Sequence, residues 1–477
     1  MKHLSEPLLQ NGQNQVRVKK LLDVAVAHAT RYLETVDSRP IATTASPTEL
    51  RLRLTKPLPQ DPTEPEQVIN ELVRDIDGGI LGSTNPRFFG WVIGGTLPVA
   101  LAADWLTSAW DQSAASNLSA PGEAVVEEVC GDWLKQLLGI PSSASFAFVT
   151  GSQAAHTTAF ASARHKLLRD RGWNVEERGL AGAPQLRILT TENRHESILR
   201  AARLVGIGTN AIAYIPADNL GRIDTFALEH ALRQSADAPT IVSLQAGDLN
   251  TGIFDPFADA CRIAHEYNAW VHVDGAFGLW AATSNEYRRL LDGAQHADSW
   301  ATDGHKWLNV PYDCGVVFVA DQAAHHASFV QSSSYSVPIE HLRNQKDWNP
   351  EWSRRGRGIT VYAAIRALGR SGIAEIIDRC CTLAVRLTTG IGNLDGAEIL
   401  VTPTINQGLV RFLSPDGNHD RQTDDIIKRI QAGGVAYFGG AEWHGMRVMR
   451  ISVCNWATTE HDVDEAVRSV RAALSEQ

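Results

Sequence analysis

Between about residue 90 and residue 320, short runs rich in Val, Ile and Phe alternate with longer stretches of helical periodicity, and no other feature of the chain restricts its fold as much. The runs lie at 146–150, 187–190, 240–244, 270–273 and 315–319. Strands joined through helices are the pattern of an α/β domain on a largely parallel sheet, because a parallel pair needs a crossover long enough to hold a helix.

The flanks read differently. Residues 1–88 mix helical periodicity, as at 16–33, with the proline-rich stretch 56–65, which predicts an N-terminal helical arm rather than a core. An arginine-rich connection at 343–357 leads into a helix near 359–368, after which the composition shifts. The predicted divisions are therefore an arm over 1–88, a large domain over 89–363 and a small C-terminal α+β domain over 364–477. Strands at 408–412 and 446–453 and a last helix at 460–474 are expected in the small domain. A chain of 477 residues exceeds what one hydrophobic core supports, which agrees with more than one packed region.

A formal charge of −10 without any basic stripe argues against nucleic acid or an anionic membrane surface as the main partner, and leaves a small molecule as the expectation. Six cysteines without a C-x-x-C pair predict neither a metal site nor a disulfide framework. Residues 1–10 lack a basic head followed by an apolar run, and nothing later approaches the ~20 apolar residues of a membrane span. The expected location is cytoplasmic.

Two stretches carry chemistry. The first, Val271-His272-Val273-Asp274-Gly275-Ala276, is an apolar strand ending in a carboxylate, at the strand end where open α/β sheets bind ligands. A buried carboxylate needs a cationic partner, and a protonated pyridine nitrogen can be one. About thirty residues on comes Asp303-Gly304-His305-Lys306-Trp307. Only nine lysines occur in the chain, and Lys306, in an apolar setting with no acid immediately beside it except Asp303, is placed to condense with an aldehyde. Alone, Asp274 reads as a turn carboxylate and Lys306 as a surface lysine. In this order they predict a pyridoxal 5'-phosphate site.

A third segment supports this. The run at 146–150 enters Gly151-Ser152-Gln153 and then a helix, and the free N–H groups of a helix start suit a phosphate. His195, just after the run at 187–190, reads equally as an ordinary loop histidine and as an imidazole that stacks on the cofactor ring.

These residues together resemble the group II pyridoxal-phosphate-dependent decarboxylases, the aromatic-L-amino-acid and glutamate decarboxylase group. The similarity runs from 85–91 (NPRFFGW) through the Gly151 turn, His195, 247–256 (GDLNTGIFDP), HVDGAFG and GHKWLNVPYDCG to 449–453. The resemblance implies fold type I, that of aspartate aminotransferase, with a central, mostly parallel seven-stranded sheet, an N-terminal arm and a small C-terminal domain. It also implies a homodimer with active sites at the interface. Lys306 would form the Schiff base, Asp274 pair with the ring nitrogen, Ala276 and His195 pack on the two ring faces, and Gly151, Ser152, Gln153 and His305 lie near the phosphate.

The chain departs from the family at three points. Asp248 stands near the expected position of the ring hydroxyl, where relatives often carry Thr. Asp303 replaces an Asn of the aromatic enzymes. The segment 343–348 (RNQKDW) has no match for the tyrosine that delivers a proton after CO2 leaves, and Tyr335 lies upstream at the wrong offset. The implied reaction is decarboxylation of an L-amino acid, held on the cofactor as an external aldimine in place of Lys306, to the amine. The alternative is decarboxylation with oxidative deamination to an aldehyde, and an aminotransferase or a non-catalytic protein of this fold ranks below both. Trp91 and Trp110 read equally as pocket-lining residues and, in a chain with thirteen tryptophans, as core residues, and Gly94 and Gly95 beside Trp91 would leave room for a bulkier group.

Overall fold

A computed structural model describes residues 11–331 and 342–475. Its centre is a sheet of seven strands: β1 (Ser145–Val149), β2 (Arg187–Thr190), β3 (Ile212–Tyr214), β4 (Thr240–Gln245), β5 (Trp270–Asp274), β6 (Ser299–Asp303) and β7 (Gly315–Val319). Their order is β1-β7-β6-β5-β4-β2-β3, and only β7 runs against its neighbours. The mostly parallel seven-stranded sheet is thus present as expected.

Every residue of β1, β4, β5, β6 and β7 is buried, because helices cover both faces. Alternate side chains divide between two cores. Val316 and Phe318 point into one with Val271, Val273 and Trp300, while Val317 and Val319 point into the other with Trp270 and Ala301.

Two strands of this sheet escaped the hydrophobic reading. β6 carries Ser299, Thr302 and Asp303 and looks like a polar loop, yet all five of its residues are buried. β3 is three residues long at the sheet edge and partly exposed.

The helix Gly358–Gly392 leads out of the large sheet, and the expected division at 363/364 falls within it. It breaks at Gly369, whose φ of 61° is a conformation only glycine adopts at little cost. Beyond it lies an antiparallel sheet of β8 (Ala397–Val401), β9 (Gln407–Phe412), β10 (Gly439–Trp443) and β11 (Met446–Ser452), in the order β10-β11-β9-β8. β8 and β10 are half-exposed, which is why β9 and β11 alone stand out in the sequence.

The first region holds the helices Asn11–Thr35, Pro47–Leu54 and Pro65–Ile76. Ser46 and Glu49 form a capping box at the start of the second. The first and third pair through His28–Asn70 at 2.7 Å and Lys20–Glu66 at 2.8 Å. Among the described residues, no helix is long and apolar enough to cross a membrane.

Candidate active site

Parallel pairing of β5 with β6 brings Asp274 and Asp303 to the same carboxyl edge of the sheet. A cavity of about 590 Å³ opens there, bordered by both carboxylates. Of the residues singled out in the sequence, Trp91, Gly151, Ser152, Gln153, His195, Asp274, Ala276, His305 and Lys306 all border it.

Three expectations are corrected. Asp248 does not border the cavity, although Gly247 and Leu249 on either side do. Its Oδ1 accepts from Asn250 N at 2.9 Å, Thr251 N at 2.7 Å and Thr251 Oγ1 at 2.9 Å, which ties that oxygen to its own turn, while Oδ2 is buried without a partner. Trp110, at the end of the helix Pro98–Trp110, lies outside the cavity and is half-exposed. Gly94 and Gly95 do not make room for substrate. A Cβ on Gly94 would meet the Lys306 carbonyl oxygen at 2.0 Å, and one on Gly95 would meet Asn455 Oδ1 at 2.4 Å. Gly94 lets the backbone pack against the Lys306 carbonyl, and Gly95 admits the Asn455 side chain.

Asp274 is buried, and its Oδ1 accepts from Ala276 N at 3.1 Å. Burial works to raise its pKa, but His156, His195 and Lys306 outweigh that and hold it below the usual carboxylate range. Asp303 behaves in the same way, with Lys306 and His305 as the opposing groups. Its Oδ2 is 3.0 Å from Lys306 Nζ, and its Oδ1 accepts from Ser152 N at 2.6 Å. Lys306 is therefore not the desolvated, unpaired amine that its sequence context suggested. Its side chain is 22% exposed and ion-paired.

His305 Nδ1 accepts from Cys314 N at 3.1 Å, and its ring stacks on Tyr312 with centroids 4.3 Å apart. His195 caps the helix Glu196–Leu204, its Nδ1 accepting from Ser197 N at 3.2 Å. Burial of part of the imidazole lowers the His195 pKa, so the ring is neutral at neutral pH.

Sequence reasoning missed Tyr312, Arg200 and Arg450, which also border the cavity. Tyr312 lies within the same stretch as Lys306, but only its stacking on His305 marks it. Arg200 and Arg450 are carried by elements chosen for other residues, the helix behind His195 and the strand β11.

The segment 343–348 is packed elsewhere. The Arg343 guanidinium lies 4.4 Å over the Phe146 ring and 4.0 Å over Trp348, and Lys346 Nζ lies 4.0 Å over Trp352. None of its residues borders the cavity. Tyr335 lies outside the described residues.

The donor set fits pyridoxal 5'-phosphate. The Ser152 hydroxyl is buried without a partner at a helix start, as a phosphate ligand would be. Gly151 leaves no side chain there, and Asp274 and Lys306 offer a charged acceptor and a primary amine to the same space.

Residues 47–414 match the pyridoxal-dependent decarboxylase conserved domain. The chain is 26% identical over 458 residues to an aromatic-L-amino-acid decarboxylase of Bacillus atrophaeus, covering 93% of each chain. It is 25% identical over 462 residues to 4-hydroxyphenylacetaldehyde synthase of Rhodiola rosea, covering 94% of this chain and 93% of the relative. Its fold superposes on the crystal structure of Oryza sativa TDC with PLP and tryptamine at a TM-score of 0.91 and 23% identity, over 99% of both chains.

Proposed function

Because the chain belongs to the pyridoxal-dependent decarboxylase family, and is thus a pyridoxal-phosphate-dependent carboxy-lyase, we propose that it converts a free L-amino acid to its amine and CO2. The observation that supports this reading is that Lys306 Nζ, the Asp274 carboxylate and the unpartnered Ser152 hydroxyl border one cavity. When bound, the cofactor supplies an aldehyde for amines and a ring that accepts the electron pair left as CO2 departs.

The remaining work falls to this chain's residues. Lys306 supplies the amine that holds the aldehyde. Asp274, kept charged, holds a proton on the ring nitrogen and so favours electron withdrawal. Ser152 and the helix start hold the phosphate, and the neutral His195 imidazole covers a ring face.

After CO2 leaves, the former α-carbon must receive a proton. Tyr312 Oη is our choice of donor. It borders the cavity, and partial burial pushes its pKa up to about 12, so the phenol keeps its proton through the neutral range. The test is turnover with a panel of amino acids while CO2, amine, aldehyde and peroxide are followed together. Amine equal to CO2 is expected.

A second reading has its own support. The Rhodiola relative is an aldehyde synthase, and the segment 343–348 carries no tyrosine. If oxygen intercepts the reaction before the proton arrives, aldehyde, ammonia and peroxide replace the amine.

The active form is proposed to be a homodimer joined through the N-terminal helices. Val16, Leu22 and Leu33 on the helix Asn11–Thr35 are 70%, 58% and 45% exposed, and Trp105 nearby is 42% exposed. Leu33 and Trp105 border one largely apolar groove of about 470 Å³. A second copy would cover this surface. A monomer at assay concentration in sedimentation would contradict it.

A further inference from the structure

Asp274 is backed by a line of buried polar groups that the reaction above does not use. His156, on the helix Ser152–Arg169, is fully buried and does not border the cavity. Its Nε2 stands 3.5 Å from Asp274 Oδ2, too far for a well-formed hydrogen bond, and has no hydrogen-bond partner among the described residues. Its Nδ1 is 2.9 Å from His272 Nε2, and His272 Nδ1 is 2.9 Å from Ser299 Oγ. Ser299 Oγ in turn accepts from Trp270 Nε1 at 2.8 Å.

The donors in this line run one way. An indole nitrogen only donates, so Trp270 gives its hydrogen to Ser299. Among the described residues the Ser299 hydroxyl has His272 Nδ1 as its one acceptor, and its own proton goes there. Burial holds both imidazoles below their ordinary pKa and therefore neutral. His272, accepting at Nδ1, carries its single proton on Nε2 and donates it to His156 Nδ1. His156 then carries its proton on Nε2, the atom that faces Asp274.

We propose that His156 is a positioning residue: the fixed order of tautomers from Trp270 presents its Nε2–H to Asp274 Oδ2, holding the carboxylate charged and oriented toward the cofactor's ring nitrogen. Ala276 N donates to Oδ1 at 3.1 Å, and an Nε2–H facing Oδ2 from 3.5 Å leaves the remaining lone pairs of the carboxylate for the ring. The inference rests on the reading that Asp274 pairs with that nitrogen. A buried histidine serving only to fill space would not need its unshared nitrogen aimed at a carboxylate, nor a neighbour whose proton is fixed by an indole.

The experiment measures the dissociation constant of pyridoxal 5'-phosphate and the absorption spectrum of purified holoenzyme for His156→Leu, His156→Gln and Asp274→Asn. Losing an N–H that faces a buried carboxylate from 3.5 Å predicts about a 3- to 10-fold weaker constant for His156→Leu, with a displaced absorption band. His156→Gln keeps a neutral N–H donor and should recover most of the loss. If Asp274→Asn weakens binding and His156→Leu changes neither constant nor spectrum, this proposal falls while the Asp274 reading stands. If Asp274→Asn leaves both unchanged, the Asp274 reading itself falls. Should His156→Leu fail to fold, neutron diffraction of the unsubstituted enzyme decides: hydrogen on Nε2 of both His156 and His272 is expected, and hydrogen on Nδ1 of either overturns the proposal.

Discussion

On the floor of the cavity Asp274 and Asp303 are 7% and 2% exposed, whereas at its mouth Trp91 and Tyr312 are 49% and 60% exposed. The floor is connected throughout: Asp303 binds Lys306 and the Ser152 backbone, and Asp274 binds Ala276 N and faces His156. The mouth residues are held by ring contacts instead, Tyr312 on His305 and Trp91 beside Phe88 and Tyr437. Preorganised charge in a buried setting requires no rearrangement at the moment of reaction, which is what the electron-withdrawing step needs. An open mouth suits side-chain recognition, and in the proposed dimer a second copy would help to shape it. Floor residues should therefore govern turnover with any substrate, and mouth residues should govern which product or substrate is favoured.

The largest expected effect tests the floor. Asp274→Asn removes one charge at constant shape and should lower kcat by about 10²- to 10³-fold, near 3–4 kcal/mol, with all substrates alike. Near-normal turnover in a folded variant would break the comparison. Next is Tyr312→Phe, which should lower amine formation by at least about 10²-fold, the lower range for a general acid, and raise oxygen uptake per CO2. In the unsubstituted enzyme the amine-to-aldehyde ratio should stay flat from about pH 7 to about pH 9, because a phenol whose pKa is raised above its ordinary value of about 10 stays protonated across that range. A ratio falling across that range would remove Tyr312 from the role.

Arg200→Ala, at the mouth, should raise KM several-fold for some amino acids and leave kcat nearly unchanged. An equal loss of kcat for every substrate would place Arg200 with the floor. The smallest effect is expected at Asp248→Asn. Its turn loses charged acceptance of two N–H groups and a hydroxyl, about 1–3 kcal/mol of stability by thermal or denaturant unfolding, while kcat and cofactor binding stay unchanged.

How much of this was legible in the sequence follows the same division. Asp274 and Lys306 each sit in a local stretch whose chemistry is readable from neighbours, and the apolar strands announce themselves through Val and Ile. β6 was hidden because Ser299 and Asp303 satisfy their polar groups with Trp270, His272, Ser152 and Lys306 in the folded state, partners that the sequence does not show. His156 was hidden for the same reason, since its partner His272 lies 116 residues away. The alternation along β5 does place His272 and Asp274 on one face, a signal that can be used. Asp248 was misjudged because its turn closes on Asn250 and Thr251, and only the backbone conformation reveals that.

The most direct test of the whole account is borohydride reduction of the purified protein followed by peptide mapping. The pyridoxyl group is expected on Lys306 alone. Its recovery on another of the nine lysines, or on none, would contradict it.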